Sequence, residues 1–188
     1  MLIEFIIPTY NRITPLHSIL ASLVAQTNEN WIATIVVDDI ENYIVKNIVS
    51  KFDTDKIKYI FTNKRYNDWG HTPREIGKQQ ATGDYIIMTG DDNYYVPVFI
   101  DELTKVMDKN PGMIYWDMVH NHYDYSYFKC SPYVSHIDMG AFATRKDIAQ
   151  KIELGKGYAA DGFFVREICE KFPSEKIIKI EKVLFVHN

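Results

Sequence analysis

The stretch DYIIMTGDDNYYVP, Asp84 to Pro97, sets a short apolar run directly against two adjacent carboxylates. Asp84–Met88 has the length and composition of a buried strand. Thr89-Gly90 ends it, and Asp91-Asp92-Asn93 follow at once. Such a pair either shapes a turn or holds a cation. Asp and Asn favour turns by bonding to nearby backbone. Mg²⁺ or Mn²⁺ needs only one or two carboxylates, with phosphate oxygens and water completing its shell.

Toward the N-terminus the pattern alternates. Leu2–Ile7 reads as a buried strand ended by Pro8. Thr14 offers an N-cap and Pro15 suits a first helical position. Leu16, Ile19, Leu20 and Leu23 then recur at helical spacing. WIATIVVDD (31–39) is a second strand with Asp38 and Asp39 at its end. Asn42–Phe52 is a helix, and KIKYIF (56–61) a third strand followed by the polar loop TNKRYNDWGH (62–71). Thr72-Pro73 opens a helix that closes near Gly83, and the opening stretch supplies the fourth strand.

Beyond it, Pro97 begins a helix carrying Phe99, Leu103, Val106 and Met107, stopped by KNPG (109–112). MIYWDMV (113–119) is the fifth strand, and a polar, aromatic loop runs from His120 to Ser135. Thr144 and Asp147 have capping-box spacing for a short helix. Asp161–Phe172 is helical, and KIIKIEKVLFVHN (176–188) forms one or two strands. Alternating strands and helices predict an α/β domain with a mostly parallel central sheet flanked by helices. No repeat or Pro/Gly/Ser linker divides residues 1–188, so a single domain is expected.

In open α/β sheets, ligands bind outside the carboxyl ends of the strands. PTYNR, DD, TNKRYN and TGDDN occupy four successive strand ends, so hydroxyls, carboxylates, amides and arginines converge on one edge. Arg12, Arg65 and Arg74 are either solvated surface charges or partners for a diphosphate, which arginine can hold with two parallel bonds. Arg74 lies in a helix's first turn, where a cation opposes the helix dipole and so does not serve helix stability. Asp38-Asp39 makes a strand-to-loop turn or bonds a base or ribose. Asp161, at a helix start, is a cap or a general base. His187 serves a metal only if the last strand returns to the active edge.

The totals restrict the function classes. The 188 residues carry 21 basic and 25 acidic side chains, a net charge of −4, which argues against a general nucleic-acid binder. The hydrophobic share of 46% suits a folded core. Two cysteines, Cys130 and Cys169, lack metal-ligand spacing and fit a reducing, cytoplasmic setting. No apolar run reaches membrane length, and the N-terminus lacks a signal peptide's basic start. No GxGxxG, P-loop, GxSxG or HExxH motif appears.

IIPTYNR (6–12), VVDD (36–39) and TGDYIIMTGDDN (82–93), in that order and spacing, resemble the family 2 glycosyltransferases. The resemblance implies the GT-A fold, a Rossmann-like α/β domain. It also implies a nucleotide-diphosphate-sugar donor (usually a UDP-sugar), a divalent cation (Mn²⁺ or Mg²⁺) and inversion by direct displacement onto an acceptor hydroxyl. By position, Pro8, Thr9 and Tyr10 line the uracil pocket with Arg12 close by, and Asp38 bonds the base beside Asp39. Asn63 and Arg74 lie near base and diphosphate, Asp91 faces the ribose, Asp92 binds the cation with His187, and Asp161 is the catalytic base. The chain departs from the family where Gly90 holds the first position of the usual Asp-x-Asp, and where Glu75 replaces an Asn and Ala160 a Glu.

The resemblance makes residues 1–97 the donor half and 98–188 the acceptor half. In the latter, Tyr123, Tyr125, Tyr127 and Phe128 either stack on acceptor sugars or simply pack. A catalytically silent nucleotide-sugar-binding module is the alternative. A sugar nucleotidyltransferase would carry a Gly-rich basic loop after strand one, which PTYNRITP is not. No membrane-binding C-terminal extension of the kind found in lipid-linked sugar transferases is present. That leaves a soluble acceptor, a larger assembly, or one domain of a longer protein.

Overall fold

The computed structural model describes residues 1–41 and 43–188. Its first half alternates as the sequence predicts: β1 (Ile3–Thr9), α1 (Ile13–Val24), β2 (Trp31–Val37), α2 (Tyr43–Val49), β3 (Ile57–Phe61), α3 (His71–Gln80) and β4 (Tyr85–Met88). The expected first residue of α2, Asn42, lies outside the described residues. The second half has β5 (Tyr94–Tyr95), α4 (Phe99–Met107), β6 (Met113–His120), β7 (Ser126–Phe128), β8 (Phe142–Arg145), α5 (Lys146–Ala149), α6 (Ala160–Lys171) and β9 (Ile177–His187).

Among the described residues nine strands join one sheet, in the order β3-β2-β1-β4-β8-β6-β9-β5, with β7 beside β6. β1 runs parallel to β2 and β4, and β2 parallel to β3. β8 opposes both β4 and β6. β9 runs parallel to β6, while β5 and β7 are antiparallel additions. The parallel character is therefore confined to β1–β4 and the β6–β9 pair.

Several local expectations shift for identifiable reasons. Pro8 does not end β1 but pairs with Val36 inside it. Ile6 accepts from Thr89 on the β4 side and Thr9 accepts from Asp38 on the β2 side. Alternation turns the Pro8 nitrogen toward β4, whose pairing with β1 has ended at Met88, so no ladder bond is lost. Thr14 does not cap α1, which starts at Ile13 without a side-chain cap. Pro15 still falls in the first turn, where its missing N–H costs nothing. Asp68, not Thr72, satisfies the start of α3, accepting from the Thr72 amide at 3.1 Å. Thr144 belongs to β8, paired to Ile86 and Met113, so its capping box does not form. Asp147 instead binds Arg145 at 2.7 Å.

Apolar strand faces and helix stripes bury one contiguous core. Phe5, Tyr95, Phe99 and Trp116 pack in succession, edge-on or tilted, at 5.1, 4.6 and 4.7 Å between ring centres. Tyr95 also donates to the Gly140 carbonyl at 2.9 Å, tying β5 to the segment before β8. α3 lies close on the sheet because Gly77 has no side chain. A Cβ there would sit 2.4 Å from Ile6 Cγ2 and 2.9 Å from Val36 Cγ2. Gly77→Val is expected to destabilise the fold by about 1–3 kcal/mol through overpacking. A urea midpoint equal to the parent's would refute that close approach.

Candidate active site

A cavity of about 660 Å³ opens at the carboxyl edge of the parallel strands. Pro8, Thr9, Tyr10 and Arg12 reach it from β1, and Asp38 from β2. Arg65, Asn67 and Trp69 come from the loop after β3, Arg74 from α3, and Gly90–Asn93 from the turn after β4. The far wall is Asp138 and Met139, with His187 and Asn188 from the end of β9. The last strand therefore does return to this edge. Asn188 fastens it there, its side chain donating to the Asp92 carbonyl at 2.7 Å and its amide to Asn93 Oδ1 at 3.3 Å.

The Asp91-Asp92 pair is both a turn and a charged site. Asp91 is 3% exposed and accepts from Thr9 Oγ1 at 2.7 Å. Burial pushes its carboxyl above the usual range, while Thr9 and Arg12 pull the other way. The Arg12 guanidinium spans both acids, Nη1 to Asp91 Oδ1 at 3.0 Å and Nη2 to Asp92 Oδ2 at 2.8 Å. A Cβ at Gly90 would lie 2.8 Å from Asp92 Oδ1, the end of a side chain that can turn away, so space alone does not require glycine there.

Asp38 lines the cavity floor with its oxygens already engaged. It accepts from the Tyr66 and Asn67 amides at 2.8 and 3.0 Å and pairs with Arg65 at 3.2 Å. Arg65 in turn lies 3.3 Å over the Tyr10 ring. Asp39 and Asn63 are not among the residues lining the cavity. Asp39 accepts from the Ile40 amide, and Asn63 takes a left-handed turn (φ 62°) that bonds its amide to the Asp39 carbonyl. Both serve the turn chemistry that competed with the binding reading. Arg74 donates Nη1 to the Trp69 carbonyl at 2.9 Å, and its buried Nε has no partner among the described residues. Burial pulls the guanidinium down from its ordinary value, and Asp138, Asp91, Asp92 and Asp161 hold it up.

A second cavity of about 280 Å³ adjoins the first through Asp138 and His187, which line both. Its walls include His120, His122, Tyr123, Phe128 and Tyr158, with Asp161 at the start of α6. Of the four loop aromatics singled out in the sequence, Tyr123 and Phe128 line it and Tyr125 and Tyr127 do not. Tyr127 instead donates to Asp117 at 2.8 Å. Asp161 is held where Gly162 packs against residue 134, since a Cβ on Gly162 would approach Val134 Cα to 2.4 Å. Burial pushes the Asp161 carboxyl up to about 6, and Asp138 adds to the rise.

His187 has both ring nitrogens occupied, Nδ1 with Asn121 Oδ1 at 3.1 Å and Nε2 facing Asp138 Oδ2 at 3.4 Å. Among the described residues no group of three or more His, Cys, Asp or Glu is arranged to hold a metal. Asp92, with Asp91 behind it, fits a hard cation that also takes phosphate oxygens and water. It does not make a self-sufficient cage. No helix among the described residues is long and apolar enough to cross a membrane.

Asp138 is the residue sequence reasoning missed. Its Oδ1 accepts from Gly140 at 2.8 Å, so the carboxylate is fixed at the seam of the two cavities. It precedes β8, which is antiparallel, so the start of that strand, not its end, lies at the active edge.

An α/β domain with such a cavity at its strand ends is built to bind a small charged ligand. The chain belongs to Glycosyl transferase family 2, matching it over residues 4–171. An uncharacterized glycosyltransferase of Haemophilus influenzae is 25% identical over 112 residues, covering 60% of this chain and 36% of that protein. The S. aureus TarS 1-349 structure superimposes with a TM-score of 0.80 at 15% identity, over 100% of this chain and 60% of that one. The Pyrobaculum calidifontis mannosyltransferase PcManGT, solved with GDP-Man and Mn²⁺, gives 0.73 at 15%, over 98% and 56%. TarS has also been solved with UDP-GlcNAc, and that structure gives 0.79 at 14%, over 99% and 58%. These structural likenesses establish the fold. The chain spans only 36% of the H. influenzae protein's length and no more than 60% of these solved chains.

Proposed function

We propose that this chain transfers a sugar from a nucleoside-diphosphate sugar, with UDP-sugars first, to a hydroxyl of a carbohydrate acceptor, inverting the anomeric centre. The observation that carries this reading is Asp161. It is a carboxyl raised to about 6 in an aromatic-walled cavity that shares Asp138 and His187 with the arginine-lined one. The donor would occupy the larger cavity, with its base toward Tyr10 and Asp38 and its diphosphate toward Arg74. The acceptor would occupy the smaller one. TarS solved with UDP-GlcNAc and PcManGT with GDP-Man support a nucleotide-sugar donor.

In the reaction, the Asp161 carboxylate takes the proton of the acceptor hydroxyl as its oxygen attacks the anomeric carbon. The bond from that carbon to the phosphate oxygen breaks, and its electron pair leaves with the nucleoside diphosphate. Single displacement inverts the centre. Arg74 stabilises charge on the departing group. Asp92, with His187 only if its ring releases Asp138 or Asn121, would hold a Mg²⁺ or Mn²⁺ that supplies further charge neutralisation at the diphosphate.

A second reading, a silent nucleotide-sugar-binding module, is favoured by one observation: Arg12 already pairs with both acids of the turn. Thermal unfolding with UDP, UDP-GlcNAc and GDP-mannose, each with and without Mn²⁺, tests both. A matching donor at about 100 times its Kd should add about 2.7 kcal/mol of stability. Release of free nucleotide from it would identify the enzyme. A shift without release would favour the silent module, and no shift with any nucleotide would sink both readings.

A further inference from the structure

We propose that Arg12 is the built-in counter-ion of the cation-holding carboxylates, so that divalent-cation binding depends on the donor's diphosphate drawing the guanidinium away. This inference rests on the donor and cation reading above.

The placement of Arg12 has no local structural purpose. It stands at the N-cap of α1, whose first turn holds no acidic residue, and its side chain makes no capping bond. A cation at that end opposes the helix dipole. What holds the guanidinium is Asp91 and Asp92, one terminal nitrogen on each, at 3.0 and 2.8 Å. The fork clamps two carboxylates together instead of gripping one.

Exposure gives the direction of approach. The Arg12 side chain is 48% exposed, that of Asp92 26%, and that of Asp91 4%. The guanidinium and both acids line the same cavity, so it shares with them the opening through which a ligand enters. A divalent cation arriving at Asp92 meets a like charge already seated there. The same planar fork binds phosphate oxygens with two parallel bonds, so a diphosphate entering the cavity offers Arg12 an equivalent partner. The long, half-exposed stem of Arg12 allows that exchange. Elsewhere in the cavity wall, Arg65 pairs with a single acid, Asp38, and lies 3.3 Å over the Tyr10 ring.

By linkage, whatever the nucleotide adds to cation affinity the cation adds to nucleotide affinity. The test is protein-bound Mn²⁺, followed by electron paramagnetic resonance, in the parent, Arg12→Ala, Arg12→Lys and Asp92→Asn, with and without UDP. Circular dichroism confirms that each variant is folded. Asp92→Asn with UDP sets the Mn²⁺ uptake due to nucleotide alone. UDP should raise Mn²⁺ affinity of the parent by about tenfold or more, within the range usual for coupled sites. Arg12→Ala should bind Mn²⁺ about tenfold tighter than the parent without UDP and gain less from adding it, with Arg12→Lys between the two. Equal Mn²⁺ binding by parent and Arg12→Ala without UDP would overturn this proposal and leave the cation reading standing. If no form takes up Mn²⁺ even with UDP bound, the cation reading and this proposal fall together.

Discussion

Asp161→Asn is expected to lower kcat for sugar transfer by about 10²–10⁴-fold, the contribution typical of a positioned general base. Nucleotide binding should be spared, because Asp161 lines the smaller cavity, proposed for the acceptor, and not the larger one, proposed for the donor. The parent's rate should rise with pH through about 6, where burial, reinforced by Asp138, has moved the carboxyl. The same shift has a cost in stability. The group sits at about 6 in the fold against an ordinary 3.8. Between those values the folded chain binds more protons than the unfolded chain, so stability falls as pH rises through that window. Above it, ionised Asp161 costs the fold on the order of 2–3 kcal/mol at about 1.4 kcal/mol per pH unit. Asp161→Asn should therefore melt higher than the parent at pH 8 and level with it at pH 4. A variant that keeps near-normal transfer would remove Asp161 from the role of base. Loss of transfer together with a lower melting point at pH 8 would point to a folding role instead.

Arg74→Met is expected to reduce kcat by about 10²–10³-fold, the usual loss when a preorganised group facing developing charge is removed. Two observations support that size. Its Nε is buried without a partner among the described residues, and Asp138, Asp91, Asp92 and Asp161 all act on its charge. Arg74 also ties α3 to the preceding loop through the Trp69 carbonyl, at a Trp held in a left-handed conformation (φ 54°). Removing it therefore disturbs that loop and should raise the KM for the donor as well. Arg74→Lys keeps the charge without the fork and should recover only part of kcat. If Arg74→Met changed KM while leaving kcat within about threefold, Arg74 would be a loop support, because a purely ground-state contact does not alter the chemical step.

Most of the larger cavity's wall was legible in the sequence because it follows from local rules. Four apolar runs of strand length, separated by helical periodicity, commit residues 3–88 to parallel strands with crossover helices. Parallel strands carry their polar loops to one edge, so Thr9, Tyr10, Arg12, Asp38, Asp91 and Asp92, picked out at strand ends, line one cavity together with Arg74, picked out in a helix's first turn. Asp39, picked out at a strand end, and Asn63, placed by the family resemblance, do not line that cavity. A strand end delivers a residue to the edge, but turn bonds decide whether its side chain faces the ligand or the loop.

The smaller cavity and the far wall of the larger one depended on pairings between residues far apart in the chain. No periodicity tells β8 to run antiparallel between β4 and β6, yet that direction brings Asp138 and Gly140 to the active edge. Nor does any local pattern make the eleven residues of β9 one strand parallel to β6, which carries His187 and Asn188 to the Asp91-Asp92 turn. Burial by distant elements then raised Asp161 to about 6 beside Asp138. The sequence by itself determined the α/β class, the sheet edge where the cavity opens and most of the charged residues that line it, because strand length, helical spacing and turn chemistry are local properties. Only the tertiary structure decided strand direction in the second half, the seam at Asp138 and the pairing of Arg12 with both acids. Those depend on which surfaces meet, and sequence separation carries no record of that.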